Sequence, residues 1–353
     1  MRELQSGARR EPLHVRAAGL VTAVGLSLRA SAAAYRAGIM RFHEIPFHDA
    51  GGVPITASQV PRLTDGRQGL RRMVALLSAA IHDLVEQLGR ELPVGLPILV
   101  AGPEKGRPGT PARFEEDLVR SVQAEGGWRF DERASAMILT GNTGGIRGLG
   151  HARALLQDSN VPGVLVTGVD SFLNRAALDH MESGRYLKTA DNPDGVIPGE
   201  GAAALLVTRP WAWDRIPPLL EVVGLGSAGE EAATDSDLPN TGKGLAAAIR
   251  DALSDAGMST GATDFRLSDV AGERVQFAET NYAMSRTLRE RHEQYPLWLP
   301  GESFGEVGAA AGPTLLAVAG IAFAKGYAPG SAALCQTGSR SGDRAVAVVK
   351  RAG

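Results

Sequence analysis

The sequence predicts an α/β protein built from two copies of one layered unit. Short apolar runs bounded by glycine and proline alternate with stretches of helical periodicity, the pattern of strands and helices in layers. The segment Val161-Pro-Gly-Val-Leu-Val-Thr-Gly-Val-Asp-Ser171 is echoed by Ala328-Pro-Gly-Ser-Ala-Ala-Leu-Cys-Gln-Thr-Gly-Ser339. Each copy follows a helix rich in small residues, Gly144–Gln157 and Ala309–Lys325. Each is followed by an apolar strand, Gly201–Thr208 and Arg344–Lys350. Self-similarity on the scale of half a molecule indicates a duplication and not a short solenoid. The pattern breaks near Pro210–Pro218, which divides the chain into halves of residues 1–212 and 213–353.

Taken in order, Leu13–Ala23 reads as a strand running into a turn, followed by an alanine-rich helix around Ser31–Gly38. Leu70, Met73, Val74, Leu77, Ile81, Leu84 and Leu88 recur at spacings of three and four, so Gly69–Leu92 is an amphipathic helix with His82 beside its apolar stripe. Leu96–Ala101 is a buried-strand candidate, and Gly102–Thr110 is a loop by its glycines and prolines. The alanine and glycine of the two inner helices suit helices with sheet on both sides, where small side chains permit close approach. The 32 arginines against five lysines also fit a compositional bias, but the cluster Ala309-Ala-Ala-Gly312 favours packing. Glu230–Asp237 reads as a solvated acidic loop.

Composition narrows the function. The chain has 353 residues, 44% hydrophobic and 22% charged, which is ordinary for a globular protein with a large core. A formal net charge of -2 lacks the positive excess of nucleic-acid or anionic-membrane binders, so proteins and small molecules are the expected partners. One cysteine, Cys335, allows neither an internal disulfide nor a multi-cysteine metal site. Met1–Val15 has no apolar run, and no segment has some 18 uninterrupted apolar residues, so the expected location is the cytoplasm. No cofactor or metal is expected. His14, His43, His48, His151 and His180 are scattered, and the glycines 141, 144, 145 and 148 lack the lysine of a phosphate loop.

Three segments resemble the thiolase-like superfamily, in particular its β-ketoacyl synthase branch. Asp191-Asn-Pro-Asp-Gly-Val-Ile-Pro-Gly-Glu-Gly-Ala202 is similar to that family's Asp-Gly-Phe-x-x-Gly-Glu-Gly-Ala segment. Gly305-Glu-Val-Gly-Ala-Ala-Ala-Gly312 is similar to its Gly-His-x-x-Ala-Ala-Ala-Gly motif. Thr140-Gly-Asn-Thr-Gly-Gly-Ile-Arg-Gly-Leu-Gly150 runs without a gap along its Thr-Ala-Cys-x-x-Gly nucleophile turn. The resemblance implies two βαβαβαββ halves in a five-layer α-β-α-β-α fold. It also implies a homodimer, with the strand Ala136–Gly141 at the interface.

Ketosynthases condense with a cysteine thiolate at a helix N-terminus and two histidines that stabilise an enolate. At the positions matched to them stand Asn142, Glu306 and, as the best match in Ser268–Glu273, Asp269. A primary amide holds no acyl group, and an ionised carboxylate repels a developing enolate. Thr140 and Thr143 offer hydroxyls without an identifiable general base. From Trp213 onward there is a single histidine, His292, so two catalytic histidines cannot be found there. Cys335 reads either as a displaced nucleophile or as a small buried residue.

The resemblance thus implies a degenerate member, a pseudoenzyme kept as scaffold, chaperone or adaptor. Gly19-Leu-Val-Thr-Ala-Val-Gly25, Pro103-Glu-Lys-Gly-Arg-Pro108 and Ser268-Asp-Val-Ala-Gly-Glu273 are similar to thiolase-like proteins of type VI secretion clusters, which implies effector loading and a secretion effector or spike protein as partner. A related implication is a heterodimer with an active synthase, as chain-length-factor subunits form. The alternative is an acyltransferase or 3-oxoacyl synthase-type enzyme of fatty-acid or polyketide metabolism. In it Asn142, Asp269 and Glu306 bind an acyl thioester, or Glu306 acts as a base if burial raises its pKa.

Overall fold

A computed structural model describes residues 11–353 except 214, 234–237 and 291. The first half runs β1 (Leu13–Val21), α1 (Leu28–Arg36), the hairpin β2 (His43–His48) and β3 (Pro54–Ala57), α2 (Gly69–Leu88), β4 (Ile98–Ala101), α3 (Phe114–Gly126), β5 (Ala136–Ile138), α4 (Gly144–Leu155), β6 (Val164–Ser171), α5 (Arg175–Ser183) and β7 (Glu200–Thr208). The second runs β8 (Leu220–Gly229), α6 (Lys243–Ala256), β9 (Phe265–Ser268), α7 (Arg274–Thr287), β10 (Leu297–Trp298), α8 (Gly301–Phe304), α9 (Ala311–Lys325), β11 (Ala332–Gly338) and β12 (Asp343–Lys350).

The duplication is written in the sheet. Its strands lie in the order β10-β9-β11-β12-β8-β1-β7-β6-β4-β5. Each half contributes five strands, and counted within its half each reads third, second, fourth, fifth, first. In both, the third, second and fourth are parallel and the fifth is antiparallel to its two neighbours. The halves join where Leu13–Val15 of β1 pairs antiparallel with Leu220–Val222 of β8.

Helices α2 and α3 cover the outer face of the first half, and α6 and α7 that of the second. Helices α4 and α9 lie between and touch strands of both halves, which gives the five-layer α-β-α-β-α arrangement. Every residue of α9 from Ala311 to Phe323 is buried, as a helix apolar on all sides must be. Gly308–Lys325 is long and apolar enough to cross a membrane, yet it is enclosed by the two half-sheets. Leu149, Leu315 and Val318 of the inner helices share one core with Leu205, Val207, Ala345 and Ala347. At Gly145 the need for a small residue is direct, because a Cβ there would stand 2.2 Å from the Pro313 ring carbon Cδ on α9.

Several element ends differ from the sequence reading. Helix α1 starts earlier, at Leu28, because Ser27 caps it by accepting the Ala30 N–H at 3.2 Å. Helix α2 stops at Leu88 because Gly89 takes the left-handed C-cap conformation. The two inner helices each open on a single 3₁₀ turn, Gly141–Thr143 and Gly308–Ala310. The acidic run at 230–237 is not wholly a solvated loop. Glu230 is buried and its carboxylate accepts the Gly244 N–H at 2.7 Å, capping the first turn of α6. Residues 234–237 of that run, and residues 1–10 of the N-terminal segment, lie outside the described residues.

Candidate functional site

Asn142 is 127 residues from Asp269 and 164 from Glu306 in sequence, and the three meet between the two halves. Asn142 stands in the turn that opens α4, just after Gly141, whose φ of +57° is a left-handed conformation that favours glycine. Asp269 follows β9, and Glu306 precedes the corresponding turn at the head of α9. The Asn142 side-chain NH2 donates to Asp269 Oδ2 at 3.1 Å and to Glu306 Oε1 at 3.2 Å. Asp269 Oδ2 also accepts the Gly338 N–H at 3.0 Å, and Glu306 Oε1 accepts the Gly308 N–H at 2.7 Å. One amide thus clamps two carboxyl groups, and each carboxyl group also holds a backbone N–H.

Burial sets the electrostatics. It pushes the Glu306 carboxyl up to about 7, with the nearby Asp269 adding to the shift. Asp269 is raised to about 6, again mainly by desolvation, against the lowering pull of its Gly338 and Asn142 hydrogen bonds. The pair therefore keeps a proton, mainly on Glu306, at pH values where exposed carboxylates have lost theirs.

A cavity of about 200 Å³ opens over the clamp, walled in part by Phe172, Tyr186, Arg107 and Arg340. Arg107 forms a two-pronged pair with Asp170, at 2.9 Å from Nη1 to Oδ2 and 2.5 Å from Nη2 to Oδ1, and lies over the Phe172 ring. Asp170 also accepts the Ala309 N–H at 3.0 Å, so the loop carrying Arg107 is tied to the head of α9. Arg340 pairs with Glu273 at 2.6 and 3.0 Å and stacks 3.6 Å from the centre of the Tyr186 ring. Both cations are thereby neutralised, and the floor between them is acidic.

Neither the cysteine nor the threonines beside Asn142 present a nucleophile to this floor. Cys335 is buried in the central core, and burial alone pushes its thiol far up. The Thr143 hydroxyl is buried and donates to the Thr140 carbonyl at 3.0 Å, while Thr140 Oγ1 is buried without a hydrogen-bond partner. His180, read from the sequence as one of several scattered histidines, lines this cavity, its ring edge-on to Tyr186. His43 and His48 are exposed at the two ends of β2. Among the described residues no group of three His, Cys, Asp or Glu could hold a metal ion.

Sequence reasoning did not find Arg107, Asp170, Tyr186, Glu273 or Arg340. Arg107 and Glu273 lay in segments already singled out, Pro103–Pro108 and Ser268–Glu273. Asp170 lay in the internal echo, but nothing local in the sequence pairs it with Arg107, 63 positions away.

Layer order, strand order and paired inner helices define the thiolase-like fold of ketosynthases. No protein-family model and no curated protein matches the chain. Solved structures do. The ishigamide ketosynthase/chain length factor is 21% identical with a TM-score of 0.71, covering 97% of this chain and 100% of that one. A ketosynthase (ApeO) in complex with its chain length factor (ApeC) from Xenorhabdus doucetiae is 14% identical with a TM-score of 0.75 over 99% of this chain and 100% of that one. The AntDE:AntF complex, a type II acyl-carrier protein with its ketosynthase bound to the hexaketide, is 15% identical with a TM-score of 0.81, covering 97% and 100%. At these identities the likeness is one of fold.

Proposed function

We propose that this chain is a non-condensing ketosynthase-fold subunit that works by binding, as the partner of an active synthase chain. The observation that carries this reading is the clamp. In the turn where condensation needs a thiolate, Asn142 is held by two carboxyl groups, and the Gly338 N–H that could face a carbonyl oxygen is taken by Asp269. Two of the structural neighbours are named for a ketosynthase and a chain length factor, which supports a partner-subunit role here.

A scaffold or adaptor for secretion effectors is the other form of a binding role. Two of the segments that resemble the secretion-cluster proteins, 103–108 and 268–273, supply Arg107 and Asp269 to the site. An enzyme with unconventional residues is the second reading, favoured by Glu306, a cavity-lining carboxyl with a pKa suited to general-base work at neutrality.

Affinity purification of the tagged full chain from its native host separates these. One-to-one recovery of a second ketosynthase-fold chain with an intact cysteine nucleophile supports the partner subunit. Recovery of a secretion spike or effector protein makes it an adaptor. A chain that elutes without either and turns over acyl thioesters overturns the binding reading.

A further inference from the structure

A second cavity, of about 330 Å³, lies against the outer helices α6 and α7 and reaches the clamp residue Asp269, sharing Gln276, Gly338 and Arg340 with the first cavity. It opens at the carboxyl ends of the parallel neighbours β9 and β11. From β9 the chain goes on to β10 at one side, and from β11 to β12 at the other. Strand ends where successive connections diverge leave a crevice, the usual ligand position in open α/β sheets.

Side-chain alternation turns Gln336 away from the central core. Along β11, Cys335 faces the central core, while Leu334 packs in the outer core and Gln336 reaches Thr280 on α7. Gln336 lines the cavity and is 1% exposed. Its amide nitrogen donates to Thr280 Oγ1 at 3.1 Å and is 3.4 Å from Ser268 Oγ, and its Oε1 has no partner. The internal repeat sharpens the point. Aligning the two echoed segments places Val169 of β6 opposite Gln336, and Val169 is fully buried in the apolar core of the first half. The same architectural position is thus closed by packing in one half and carries a buried, incompletely satisfied amide beside a cavity in the other.

The remaining walls set the ligand's character. Arg344 pairs with Glu279 through both carboxylate oxygens, at 2.5 and 2.9 Å, and Arg340 is paired with Glu273, so both cations are paired while the wall also carries the Asp269 carboxyl. Val270, Val275 and Leu245 supply apolar surface. An anionic ligand would find both arginines already paired and would face Asp269, whereas a neutral donor would satisfy Gln336.

We infer that this cavity is a binding site for a small neutral molecule bearing a primary carboxamide on a short branched apolar body, with Gln336 as the residue that reads the amide. The inference rests on Gln336 and the outer wall, and the cavity shares Asp269 with the Asn142 clamp.

The test titrates the full chain with isovaleramide, and with isovalerate as the charged isostere, followed by ligand-observed saturation-transfer NMR. The expected result is saturable isovaleramide binding, about tenfold weaker or worse for isovalerate and for Gln336→Leu, the loss of one buried hydrogen bond. Val275→Trp, at a position 46% exposed where folding is not at risk, should block the mouth and abolish binding. It decides the matter if Gln336→Leu does not fold. Absence of saturable isovaleramide binding, equal affinity for isovalerate, or binding that survives Val275→Trp overturns the inference.

Discussion

Replacing Glu306 by glutamine should make the protein more stable at pH 8 while leaving it little changed near pH 4.5. The folded chain holds the Glu306 proton more tightly than the unfolded chain does, since its carboxyl is moved from 4.5 to about 7. A group shifted in this direction stabilises fully below its unfolded pKa, and that contribution is lost as the pH rises through 7. A displacement of that size corresponds to about 3 kcal/mol between the protonated and ionised forms. Glutamine keeps the oxygen that accepts from Asn142 and Gly308 and cannot ionise. The wild-type stability should therefore fall between pH 5 and pH 8, and the Glu306→Gln curve should fall less, gaining up to about 3 kcal/mol on the wild type at pH 8. Asp269, raised to about 6, adds a smaller decline that remains in the variant. Urea unfolding at half-unit pH intervals reads the difference directly. Parallel wild-type and variant curves, or a wild-type stability that rises over this range, would refute the electrostatic account of the clamp.

Two further outcomes follow from the packing. Gly145→Ala drives a methyl into the Pro313 ring and should cost about 1–3 kcal/mol by overpacking the inner helix pair, measured by urea unfolding, whereas Gly150→Ala, with nothing near its Cβ, should be neutral or stabilising. The Cys335 thiol should be silent to Ellman's reagent in the native chain and react with one equivalent in guanidinium, because it is buried and its thiolate is disfavoured.

The fold was legible in the sequence because a duplicated architecture prints its signal twice. The echo of 161–171 at 328–339 corresponds to β6 and β11, which occupy the same place in the two halves of the sheet. Of the site, the identities at Asn142, Asp269 and Glu306 were readable by resemblance, but their mutual hydrogen bonds were not. Contacts across 127 and 164 residues are set by the stacking of the two half-sheets about α4 and α9, and no local periodicity encodes them. The pairs Arg107 with Asp170 and Arg340 with Glu273 were invisible for the same reason, since an arginine in a glycine-rich loop looks solvated until its partner is placed. Glu230 shows the opposite limit: amid acidic neighbours it read as solvated, whereas one carboxylate of the run turns inward to cap α6.

The most direct test of the central claim, that the clamp holds and does not condense, is to incubate the chain with radiolabelled malonyl and acyl thioesters of coenzyme A and of acyl-carrier protein. Intact mass and released carbon dioxide are then followed. The account predicts no covalent acylation and no carbon dioxide above the protein-free control. Stoichiometric acylation, or decarboxylation that disappears in Asn142→Ala or Glu306→Ala, would contradict it.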